Sequence, residues 1–140
     1  MFSKLLVPVD GSENSFRALE AAIFLSKKIE AHITALHVME KPPTVYIHPQ
    51  KELETLLKNY RIQSEQILEK CEEVGNNNGV EIKTVIIEGD VASKIIQYAA
   101  EIFDMVVMGP RGSGRFKEMV PGRVSEKVLH QTKGSVLIVR

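Results

Sequence analysis

The chain has few of the features that stabilise secreted proteins or anchor proteins in membranes. Its 140 residues include a single cysteine, Cys71, which excludes a disulfide within the chain and favours a reducing compartment. No apolar run approaches the roughly 20 residues that a membrane-spanning helix needs. Residues 1–10 reach a proline and an aspartate too early for a signal peptide. The sequence therefore predicts a cytoplasmic protein without a membrane partner.

The chain also lacks an excess of charge of either sign. Lysine plus arginine and aspartate plus glutamate each number 18, so the overall charge gives no reason to expect a nucleic-acid partner. Apolar residues make up 44% and charged residues 26%, as in ordinary globular proteins. The length predicts a single domain over 1–140 that buries a core without disulfides.

Short apolar runs alternate with amphipathic stretches along the whole chain. The runs predict five buried strands, and the stretches between them predict four helices. Ser12 and Asp90 each precede a helical stretch and are predicted to cap it. The predicted strands cover 4–9, 32–38, 80–87, 104–109 and 135–139. The predicted helices cover 12–29, 51–75, 90–102 and 124–131, and their apolar sides include Leu53, Leu57, Tyr60 and Ile102.

Alternation of strands and helices, with strands that are apolar throughout, is typical of a parallel sheet covered on both faces. Right-handed crossovers then predict an α/β fold with a doubly wound, Rossmann-like sheet of five strands. The alternation, together with the glycine and aspartate turns that follow the first and fourth strands and are expected to meet at neighbouring strand ends, predicts the order 3-2-1-4-5. In such sheets ligands bind outside the carboxyl ends of the strands. Two segments with chemically interesting residues follow predicted strands: 8–12 after the first strand and 109–126 after the fourth.

The segment 109–126 reads GPRGSGRFKEMVPGRVSE and combines glycines with positive charge. Gly109, Gly112 and Gly122 allow backbone N–H groups to face one concavity, and the helix that follows adds further N–H groups. Four cations oppose one acidic residue between 110 and 123, a local charge of +3. The pattern indicates a phosphate site. The alternative is a solvated surface loop.

Two familiar phosphate motifs do not fit this segment. Gly109 and Gly114 have Walker A spacing, but Arg115 and Phe116 replace the lysine and the hydroxyl residue. A dinucleotide fingerprint starting at Gly112 has Lys117 in place of its third glycine.

The spacing that does fit is Gly109, two residues, Gly112, nine residues, Gly122. Together with LLVPVDGSENSFRALE (5–20) and VSEKVLHQTKGSVLIV (124–139), it resembles the universal stress protein family over the whole chain. The resemblance implies the adenine nucleotide alpha hydrolase-like version of the fold and a role in stress response through unknown protein partners. In the family's ATP-binding branch, the matching positions hold the nucleotide. These positions are Pro8, Asp10, Val38, Met108, Gly109, Gly112, Gly122, Arg123, Val124 and Ser125.

Arg123 departs from the family pattern, which places serine or threonine directly after the third glycine. A guanidinium there can make a charge-assisted fork to a phosphate, or it can fill the phosphate position itself. We expect the first, so that the site takes ATP, with or without Mg²⁺. The alternative for Asp10 is a turn residue before a helix.

A second function hypothesis is a dimeric protein-interaction module of the same family that binds no nucleotide. A slow ATPase is less well supported, because the sequence offers no general base, activated nucleophile or metal-ligand cluster. The apolar final strand invites pairing with another chain. The resemblance implies a homodimer through Val136–Val139, with the two copies of the strand antiparallel.

Overall fold

The computed structural model describes residues 2–40, 50–110 and 123–140. Strands and helices alternate through these ranges, as the sequence predicts. The strands are β1 (Lys4–Pro8), β2 (His32–Met39), β3 (Ile82–Glu88), β4 (Met105–Met108) and β5 (Ser135–Ile138). The helices are α1 (Glu13–Ile29), α2 (Gln50–Asn77), α3 (Val91–Ile102) and α4 (Arg123–Gln131).

The strands form one parallel sheet in the order β3-β2-β1-β4-β5. β1 pairs with β2 from Lys4 opposite His32 to Pro8 opposite Leu36, and it pairs with β4 at Leu5 opposite Met105. The predicted strand order is confirmed. Because all strands run the same way, the carboxyl ends of β1, β2 and β4 lie at one edge of the sheet.

Two predicted helix caps are present. The Ser12 hydroxyl accepts a hydrogen bond from the Ser15 amide at 3.1 Å, at the start of α1. The Asp90 carboxylate accepts two from Ser93, from the amide at 3.0 Å and from the hydroxyl at 2.7 Å, at the start of α3. Each cap satisfies an amide that has no partner within its helix.

Apolar side chains of β1 alternate between two buried clusters, one on each face of the sheet. Leu5 and Val7 belong to the cluster under α1 and α2, and Leu6 belongs to the cluster under α3 and α4. Cys71 is fully buried in the first cluster, and burial raises the pKa of its thiol to about 12. This supports its interpretation as a small core residue.

The predicted apolar sides of two helices extend further along the helix than the buried residues do. Ile102 at the end of α3 is 60% exposed and Leu57 on α2 is 36% exposed. The buried positions of α2 are in its second half, from Ser64 to Gly75. A helix of 28 residues is about 42 Å long, whereas the eight residues of β2 span about 27 Å, so the sheet cannot cover all of α2.

Candidate functional site

The carboxyl ends of β1 and β2 are joined by hydrogen bonds just before Asp10. The Val9 amide donates to the Leu36 carbonyl at 2.8 Å. The His37 ring nitrogen Nδ1 lies 2.8 Å from the Val9 carbonyl oxygen, and since a carbonyl can only accept, this nitrogen carries the proton. Pro8, the last residue of β1, is half-buried opposite Leu36. Sequence reasoning assigned His37 no part in the site, because its contact is with backbone and leaves no residue pattern.

Asp10 shapes the turn between β1 and α1. Its Oδ1 accepts the Ser12 amide at 2.9 Å, while Gly11 between them has a φ of 88°, a left-handed conformation that favours glycine. The turn role considered as an alternative for Asp10 is therefore present. The turn also holds the carboxylate at the edge where the strand ends meet.

Gly109 follows β4 and packs against the first turn of α1. A Cβ placed on Gly109 would lie 2.9 Å from the Cβ of Asn14 and 3.1 Å from its carbonyl oxygen. The predicted glycine is thus needed for a close approach of the chain to α1. Two other predicted glycines, Gly112 and Gly122, lie outside the described residues.

Three apolar residues of the predicted site pack together on the α3 and α4 face of the sheet. Val38 and Met108 are buried in one cluster, and Val124 at the start of α4 packs against it. The Met108 carbonyl accepts the Val139 amide at 2.8 Å, which ties the end of β4 to the end of the chain. The structure brings these three positions together from three separate elements.

The first turn of α4 is fixed to the segment after β4. Ser125 is buried, and its hydroxyl donates to the Pro110 carbonyl at 2.7 Å. This places Arg123, the first residue of α4, at the carboxyl edge of the sheet. The N–H groups in the first turn of a helix are available to an anion.

A cleft of about 210 Å³ opens beside this turn. Its walls carry two cations, Arg123 and Lys127, and two carboxylates, Glu40 and Asp90. The hydrogen bonds from Ser93 lower the pKa of Asp90, and the positive charges of Lys127 and Arg123 lower it further. The sequence predicted Arg123 and Val124 at this position and Asp90 only as a helix cap. Glu40 was not predicted, because only the fold brings the end of β2 close to α4.

A larger cleft of about 560 Å³ lies between α2 and the ends of β2 and β3. Its walls include Leu57, Ile62, Arg61 and Glu88, and none of the predicted site residues line it. The smaller cleft holds the predicted residues Arg123 and Val124 at the start of α4, and volume alone does not assign a ligand to the larger one.

Among residues 2–40, 50–110 and 123–140, histidine, cysteine and acidic side chains form no group of three or more that could hold a metal ion. Within the same ranges, no helix is both long and apolar enough to cross a membrane. The arrangement offers hydrogen-bond donors, two cations and three carboxylates, those of Asp10, Glu40 and Asp90, near a set of apolar side chains. Such a combination can bind an organic anion.

The architecture defines a doubly wound α/β protein with a candidate site at the carboxyl edge of its sheet. The model of the Universal stress protein family matches residues 1–140. The chain is 34% identical to Universal stress protein YxiE of Bacillus subtilis (strain 168), with 100% of both chains covered. It is 32% identical to the Stress response protein NhaX of the same organism, over 98% of this chain and 97% of that one. The chain belongs to the universal stress protein family.

Solved structures of this family share the fold. Universal stress protein UspA from Lactobacillus plantarum superimposes with a TM-score of 0.83 at 22% identity, over 99% of this chain and 98% of that one. A universal stress protein in complex with cAMP gives a TM-score of 0.75 at 21% identity, over 99% and 97%. A universal stress protein from Archaeoglobus fulgidus in complex with dAMP gives 0.71 at 17% identity, over 100% of both chains.

Proposed function

We propose that this protein is a cytoplasmic, dimeric stress-response regulator that binds an adenine nucleotide, ATP in particular, at the carboxyl edge of its sheet. The observation that carries the proposal is the convergence there of the Asp10 turn, the close approach at Gly109 and the first turn of α4. Family members that are solved with cAMP and with dAMP add support. The protein regulates rather than catalyses.

Different groups at the carboxyl edge of the sheet bind different parts of the nucleotide. The Asp10 carboxylate accepts hydrogen bonds from ribose hydroxyl groups, and the backbone at the end of β2 near Val38 holds the adenine. The N–H groups at the start of α4 and the Arg123 guanidinium take the phosphates, since a helix start and an arginine both favour anions. Any Mg²⁺ is bound through the phosphates, since the described residues offer no group of three metal ligands.

The proposed dimer forms through β5. This strand is last in the order of the sheet, so one of its edges has no neighbouring strand among the described residues. Val136, Leu137 and Ile138 are half-buried and uncharged. A strand edge of this kind pairs with a second copy related by a two-fold axis.

The second candidate is an interaction module that binds no nucleotide. Asp90 favours it, because a carboxylate at the cleft already offers Arg123 an anionic neighbour. On this hypothesis the attraction between Asp90 and the cations Lys127 and Arg123 stabilises the empty site, and signalling depends on the dimer surface alone.

One experiment separates the two candidates. The purified protein is denatured, and the supernatant is analysed by chromatography for adenine nucleotides. The refolded or nucleotide-stripped protein is then titrated with Mg·ATP while its thermal unfolding is followed. Released nucleotide or a stabilising shift supports the proposed binding function. The absence of both supports the interaction module.

A further inference from the structure

The cleft beside α4 has a balanced set of charges. Arg123 and Lys127 are one helical turn apart and so lie on the same side of α4. Glu40 follows β2 and Asp90 precedes α3, and both face the same cleft. Two cations against two carboxylates give the described walls no net charge, although the site proposed above takes an anion.

The Asp90 carboxylate is ionised at neutral pH, as an ordinary aspartate is. Two hydrogen bonds from Ser93 stabilise the carboxylate and lower its pKa below the ordinary value. A phosphate that reaches Arg123 therefore approaches a permanent negative charge. The same carboxylate caps α3, so it stays beside the cleft whether or not an anion is bound there.

The size of the cleft suits the phosphate end of a nucleotide. Its volume of about 210 Å³ is below the range of roughly 300–1,000 Å³ that is usual for sites enclosing a whole small molecule. It has room for phosphate groups beside Arg123, while the base and the sugar lie toward Val38 and Asp10. The carboxylates would then repel the charged phosphates, while the uncharged adenosine is not subject to this repulsion.

We propose that Glu40 and Asp90 select nucleotides by phosphate charge, disfavouring a metal-free triphosphate more strongly than a monophosphate. The inference rests on the proposed function, because it requires phosphates in this cleft. Each added phosphate brings more negative charge, so repulsion by the two carboxylates grows along the series from AMP to ATP. Mg²⁺ cancels part of the charge of ATP and reduces the difference.

The test measures affinities of the full chain for adenosine, AMP and ATP by calorimetry, in EDTA and at one ionic strength. Asp90→Asn removes the charge and keeps a good helix cap, and Glu40→Gln removes the charge at nearly constant size. Each variant is expected to bind metal-free ATP about three- to tenfold more tightly than the parent. The affinity for AMP should increase about twofold or less, and the affinity for adenosine should not change.

Each variant is compared with the parent, because residues 111–122, which include three cations, lie outside the described residues. Glu81→Gln is the matched control. It removes the same charge just before β3, at the opposite edge of the sheet, and should leave all three affinities unchanged. Excess Mg²⁺ should reduce the increase in ATP affinity that Asp90→Asn causes.

The outcomes separate this inference from the function it rests on. If the parent binds AMP and ATP but Asp90→Asn and Glu40→Gln change both affinities equally, or neither, selection by charge is wrong and nucleotide binding stands. If neither the parent nor the variants bind any of the three compounds, the proposed function fails and the inference fails with it.

Discussion

Gly109 lies against Asn14 with no room for a side chain. A Cβ at position 109 would lie 2.9 Å from the Cβ of Asn14, 3.1 Å from its carbonyl oxygen and 3.2 Å from its carbonyl carbon. Two of these atoms belong to the backbone of α1 and cannot rotate away. The end of β4 and the start of α1 are therefore held together by a contact that only glycine permits.

Gly109→Ala is expected to destabilise the fold by about 1–3 kcal/mol, because the methyl group must displace the first turn of α1. Urea unfolding at neutral pH measures the loss. Gly134→Ala is the control, since the nearest atom to a Cβ there is 3.7 Å away, and it should change stability by about 0.5 kcal/mol or less. Equal stabilities of the two variants would contradict the packing role of Gly109.

Asp104 connects the start of β4 to the start of β1. Its carboxylate accepts the amides of Lys4 and Ser3, each at 2.9 Å, and the Ser3 hydroxyl at 3.1 Å. The Lys4 amide, with further help from Ser3, holds the pKa of Asp104 below its ordinary value of 3.8. The stabilisation is therefore fully present above the ordinary pKa and is lost as the pH falls through the lower pKa of the folded protein.

Asp104→Asn should accordingly lower the free energy of unfolding at neutral pH. The difference in this free energy between the variant and the parent should shrink as the pH falls below about 4. Urea unfolding of both proteins across this range measures the difference. Glu101→Gln, an exposed change on α3, serves as the charge-matched control. A difference between Asp104→Asn and the parent that stays constant down to about pH 2 would refute the linkage.

Arg123 is expected to contact phosphate and not adenosine. Arg123→Ala should therefore weaken ATP binding by about tenfold, because the charged hydrogen bond to a phosphate is lost. It should have little effect on the binding of adenosine, which has no phosphate. ATP affinity of the parent should also fall as salt rises, since exposed charge pairs are screened.

Arg123→Ser restores the residue type of the family pattern and tests the opposite hypothesis. If the guanidinium fills the phosphate position, the parent should show no heat on titration with ATP, and the serine variant should bind. Calorimetry on the parent and both variants decides between the two hypotheses. A parent that gives no heat and a serine variant that binds ATP would favour the interaction module over the nucleotide site.

The predicted dimer can be tested on the backbone of β5. The Val139 amide donates to Met108 on β4, so the amide of Ile138, one residue earlier, faces the open edge. Ile138→Pro should remove an intermolecular hydrogen bond and shift the protein toward monomer while it stays folded. Light scattering gives the mass, and circular dichroism checks the fold.

Val139→Pro is the matched control, because it removes a bond within the sheet and should lower the melting temperature instead. Replacement of Leu137 by lysine, or deletion of 136–140, should also weaken the dimer. The hypothesis is wrong if the unmodified protein is already a monomer in solution.

The order of the sheet and its two faces could be predicted from the sequence. Apolar runs such as LLV in β1 leave no polar face, and each is followed by an amphipathic stretch, so helices must cover both sides. The caps at Ser12 and Asp90 were predictable as well, since a side chain that bonds to an amide three residues away depends only on local sequence. Local hydrogen bonds and the period of hydrophobicity carry this information.

The limits of the apolar sides were decided by tertiary structure. Leu57 and Ile102 have the spacing of buried residues, yet they extend past the area that the sheet can cover. The sequence specifies which way a side chain faces along its helix but not where the neighbouring surface ends.

The candidate site likewise has features that the sequence predicts and features that only the fold decides. Asp10, Gly109 and Arg123 could be selected from the sequence because each follows a strand end or a glycine pattern. The contact of Gly109 with Asn14, and the meeting of Glu40 with Asp90 and Arg123, join residues far apart in the chain. The sequence by itself determined which strand ends carry polar residues and glycine. Only the packing of α3 and α4 on the sheet decided which charges share a cleft, because electrostatic interactions depend on distance in space and not on separation along the chain.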